Sequence, residues 1–118
     1  MLSEPTPIAG RRGRRNHPAE ILRKALLELA ANKATITEHK ERSWASITFA
    51  GTRHQIDLSF NGAAAVEAGE RFIAHLPEHL FDIPGQLVAD AAVVSVDHRL
   101  SPEPQMRVCT EVLLLEDS

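Results

Sequence analysis

Apolar residues in this chain change their spacing three times, and that rhythm narrows the folds open to it. In HPAEILRKALLELAANK, Ile21, Leu22, Ala25, Leu26 and Leu29 recur at intervals of three and four, which gathers them on one side of a helix. Across 43–60 the interval falls to two, the signature of half-buried strands. It returns to helical spacing over 63–76 and then gives way to long apolar strand runs. Such a sequence predicts the order α-β-β-α-β-β. The expected fold is an α+β two-layer sandwich, an antiparallel sheet of four to five strands with two helices on one face.

Boundary signals divide the chain further. Pro18 suits the first position of a helix over 18–33, with Asn16 or His17 as cap and Glu20 near the positive end of the helix dipole. ATITE (34–38) reads as a short strand ahead of the polar HKER. SWASITF alternates Ala45, Ile47 and Phe49 against Trp44, Ser46 and Thr48. AGT supplies a tight turn, and RHQIDLSF sets Ile56, Leu58 and Phe60 on one face, completing a hairpin. Asn61-Gly62 opens the second helix, whose apolar side is Val66, Phe72, Ile73 and Leu76, and Pro77 interrupts it. QLVADAAVVSV and QMRVCTEVLLL form a second hairpin around LSPEP, whose prolines prevent ladder pairing. Val93, Val94 and Val96, and then Val112 to Leu115, are apolar on both faces. Either this hairpin is central in the sheet, or one of its faces meets another chain.

A chain of 118 residues is expected to form one domain, burying roughly two-thirds of its unfolded surface without disulfides. Residues 1–16 read as a disordered basic tail ahead of a single domain over 17–118. The tail carries four Arg against Glu4, and the rest of the chain nine Lys and Arg against fifteen Asp and Glu. Cys109 is the only cysteine, which excludes an internal disulfide and a zinc ribbon and fits a reducing cytoplasm. The N-terminus shows no apolar signal segment, and no run is long enough to cross a membrane. Ten Arg against three Lys hints at a bacterial source.

Several residues invite a chemical role. HLPEH (75–79) matches a spacing used by zinc peptidases, but Pro77 breaks the helix that would align His75 with His79, and no helix follows to bring a third ligand. Neither a metal nor a cofactor is expected. Arg11, Arg12, Arg14 and Arg15 could neutralise phosphates, yet the acidic body opposes them and no recognition helix follows, so nucleic acid is not an expected partner. His54, His75, Asp90 and His98 are the residues that would line a ligand pocket between helices and sheet. Asp90 also fits a solvated outward position, and His54 shares the register of Ile56 and Leu58.

No catalytic set emerges, so the reading leans away from an enzyme. The expected protein is a small cytoplasmic, non-catalytic module that self-associates or binds another protein. The expected assembly is a dimer through the C-terminal hairpin, using Val94, Val96, Leu113 and Leu115. The alternatives are a small-molecule-binding or catalytic domain with a pocket between helices and sheet, and a nucleic-acid-associated protein acting through the arginine arm.

Overall fold

The computed structural model describes residues 9–116, with side chains from His17 onward. Its elements are α1 (Ala9–Leu29), β1 (Ala34–Ala45), β2 (Ala50–Asn61), α2 (Ala63–His75), a 3-10 turn (Leu76–Glu78), β3 (Gln86–Arg99) and β4 (Gln105–Glu116). The order α-β-β-α-β-β is the expected one, and the sheet has four strands, all antiparallel, in the order β1-β2-β4-β3.

Both helices cover one face of this sheet. Leu22 and Leu26 of α1 with Ala30 just beyond it, Val66 and Phe72 of α2 and Leu76 of the 3-10 turn join Ile56, Leu58 and Phe60 of β2 and Met106, Val108, Val112 and Leu114 of β4 in one core. The period-two set of β2 is fully enclosed, and the Phe60 and Phe72 rings meet at 5.9 Å. Enclosing each of these two rings contributes about 1.5–3 kcal/mol. α1 begins at Ala9, so Pro18 lies inside the helix rather than at its start. It closes where Ala31 and Asn32 take left-handed backbone conformations and the Asn32 N–H returns to the Leu27 carbonyl at 2.8 Å. Gly62, at φ +96°, turns the chain from β2 into α2, and its N–H donates to the Pro104 carbonyl.

The strand order explains the two-faced apolar runs. β4 lies between β2 and β3, so its side chains have strand neighbours on both flanks, and Val112 to Leu115 are buried on both faces. β3 is an edge, and its Leu87, Val94 and Val96 remain exposed. Bulges at Ala89 and Val94 interrupt its pairing with β4, a common way of blunting a sheet edge.

Two expectations are corrected. The first hairpin turns at Ser46–Phe49, not at AGT. Ala45 pairs with Ala50, the Ser46 N–H donates to the Phe49 carbonyl at 2.7 Å, and the Phe49 N–H returns to the Ser46 hydroxyl at 3.1 Å. Half of the SWASITF alternation is therefore turn, and Ile47 is wholly exposed. ATITE is no short strand either: β1 runs from Ala34 through HKER to Ala45.

Candidate functional site

The bulge at Thr37 decides what β1 presents to the core side. Ile36 pairs with Leu58 and His39 with Ile56, so both lie on the helix-covered face although they are three residues apart. Strict alternation from Ile36 would have turned Glu38 and Lys40 inward. Instead His39 and Glu41 face that side, where Glu41 is directly opposite His54 and His39 is diagonal to it.

The result is a compact group at the open end of the helix–sheet layer. His39 Nε2 and His54 Nδ1 are 2.9 Å apart, with ring centroids at 5.1 Å. The nearer Glu41 carboxylate oxygen is 4.0 Å from His39 Nε2, and all three ligand atoms lie within 4.8 Å of one another. His54 is 3% exposed, whereas Glu41 reaches solvent. Both imidazoles are held below their usual range mainly by burial, opposed by the Glu41 carboxylate. The Arg23 charge adds to the depression at His39, and His39 adds to it at His54. The rings are accordingly neutral at physiological pH, the form able to ligate a metal. Beside them opens a cleft of about 380 Å³ between Pro18 and Ala19 of α1 and the strand residues Thr52 and His54, with Gln86 and Glu116 at its rim.

Of the four residues expected to line a pocket, only His54 lines this cleft. His75 is exposed at the C-terminus of α2, Asp90 is exposed opposite Leu113, and His98 is exposed near the end of β3. His39 and Glu41 were missed because HKER reads only as a polar stretch until the bulge and register are known. In HLPEH, α2 ends at His75 and Pro77 enters the 3-10 turn, while His79 packs edge-on against Phe81 at 4.6 Å. The side chains of Arg11, Arg12, Arg14 and Arg15 lie outside the described residues.

On the opposite face, register aligns Leu87, Leu115, Gly51 and Trp44 in one row across β3, β4, β2 and β1. The next row reads Asp90, Leu113, Arg53 and Arg42, with Arg53 paired to Glu111 at 3.6 Å. Leu113 and Leu115 are each only 7% exposed within a single chain, while Leu87 is 53% exposed. Val94 and Val96 do not join these rows: Val94 is absorbed by the bulge, and Val96 pairs with Val108 on the helix-covered side. Cys109 lies on the open face beside Asp57. Burial and that carboxylate push its thiol above the usual range, so it is a poor nucleophile.

No family model and no curated sequence matches the chain. Among solved structures, the type 4 fimbrial biogenesis protein PilO from Pseudomonas aeruginosa aligns at 13% identity over 92% of this chain and 82% of its own, with a TM-score of 0.35. No described helix is long and apolar enough to cross a membrane.

Proposed function

We propose that the chain is a non-catalytic self-associating module that dimerises through the open face of its sheet, from the C-terminal hairpin across to β1. The observation that carries this reading is the register of the two rows on that face. One is apolar from Leu87 through Leu115 to Trp44, and the other runs from acidic Asp90 at the β3 edge to basic Arg42 at the β1 edge. Among the described residues, no helix of the core packs on this side. A two-fold axis along the strands would lay β3 over the partner's β1. That arrangement sets Leu87 against Trp44 and Asp90 against Arg42, twice over, as an isologous interface requires. Trp44 is the natural anchor, since large aromatic side chains dominate such contacts. Leu113 and Leu115 supply the floor rather than the free surface, and the contacts shift to Leu87 and Trp44.

Sedimentation at micromolar concentration tests the proposal. The parent chain should run as a dimer and Leu87→Glu as a monomer. Asp90→Arg should also dissociate it, and adding Arg42→Asp to that variant should restore the dimer. A monomeric parent, or a double charge swap that restores nothing, rejects this interface.

A further inference from the structure

We propose that His39, His54 and Glu41 bind a single divalent transition-metal ion of the zinc type. Two imidazole nitrogens and one carboxylate oxygen converge from adjacent strands, all within 4.8 Å. Ligands on a tetrahedral zinc, bound at about 2.0–2.1 Å, stand about 3.3–3.4 Å from one another. The histidine pair, at 2.9 Å, is slightly inside that separation, and the His39–Glu41 pair, at 4.0 Å, slightly outside it. The third pair, His54 and Glu41, lies within 4.8 Å, so a bound geometry calls for ring rotation and a shift of the solvent-reaching Glu41 carboxylate toward the pair. The donor set selects the metal: imidazole with one carboxylate suits zinc, cobalt or nickel, whereas calcium and magnesium require mostly oxygen.

Chemistry at the pair points the same way. His39 Nε2 and His54 Nδ1 face each other directly, so in the metal-free protein one must donate a proton to the other. A metal ion between them takes both lone pairs and leaves each ring its other N–H. Glu41 and His54 both line the neighbouring cleft, from which water would take a fourth position on the ion. Arg23 on α1 acts on His39 and opposes a cation there, while Glu41 offsets it. This departs from the expectation of no metal, which rested on HLPEH alone.

The test is equilibrium dialysis of the EDTA-stripped full chain against zinc chloride, with cobalt(II) as a spectroscopic probe. One zinc per chain and the visible bands of four-coordinate cobalt are expected. Glu41→Gln and His39→Gln should each weaken binding about tenfold or more, on the scale seen when metal sites lose supporting groups. Neither change should alter the far-ultraviolet circular dichroism, so the result does not depend on the buried His54, whose replacement could unfold the chain. A His75→Gln/His79→Gln variant should bind as the parent does. The proposal is overturned by substoichiometric zinc, by binding unchanged in Glu41→Gln and His39→Gln, or by binding lost in the His75/His79 variant.

Discussion

Gly51 carries no side chain because the backbones of β2 and β4 close on that position. A Cβ there would collide with the Leu114 carbonyl oxygen and stand 2.9 Å from the Leu115 Cα, both fixed by the ladder. Gly51→Ala should therefore cost about 2–3 kcal/mol in urea unfolding, the upper range for overpacking against backbone. An unchanged midpoint would show that the strands part easily there. The AGT triplet reads as a turn because glycine usually marks one, and sequence has no means of separating a turn glycine from one demanded by a neighbouring strand. His54 was more legible: its register with Ile56 and Leu58 already placed it toward the core. His39 was not, because a bulge at Thr37 leaves no mark in the residues themselves.

Strand ends show a similar division. The β2 alternation of Ile56, Leu58 and Phe60 is buried as expected, since each of those residues meets β4 on one side and the helices above. SWASITF alternates as cleanly, yet its strand stops at Ala45, because the Ser46 hydroxyl accepts the Phe49 N–H and closes a turn. Two matched truncations separate these cases. Ile47→Ala should change stability by less than about 0.5 kcal/mol, and Ile56→Ala should lower it by about 2–5 kcal/mol. Equal losses in urea titrations would return Ile47 to the core and restore the longer strand.

Acid should weaken the whole molecule through the histidine pair. Both rings have folded-state values lowered from 6.5, so below that pH the unfolded chain binds more protons than the folded one. Stability from this source is complete above pH 6.5 and is lost as pH falls from there toward the folded values. The slope cannot exceed about 1.4 kcal/mol per pH unit for each ring. The charges that bear on the pair are Glu41, which resists the loss, and Arg23, which deepens it at His39. In EDTA, the urea midpoint should be level from pH 7 to 8 and should fall as pH drops below about 6.5. His39→Gln should flatten that fall, and a parent midpoint that rises on acidification would contradict the neutral pair.

Sequence alone determined the order of elements, the apolar faces of both helices and the inward side of β2. These follow from local geometry, because helix and strand periodicity put side chains on a given side whatever the partner. Tertiary structure decided strand order, which places β4 between β2 and β3 and so accounts for its apolar residues on both faces. It also decided the meeting of His39, Glu41 and His54. Residues fifteen apart in the chain become neighbours only through a particular hairpin register, and one bulged residue sets which side of the sheet they occupy.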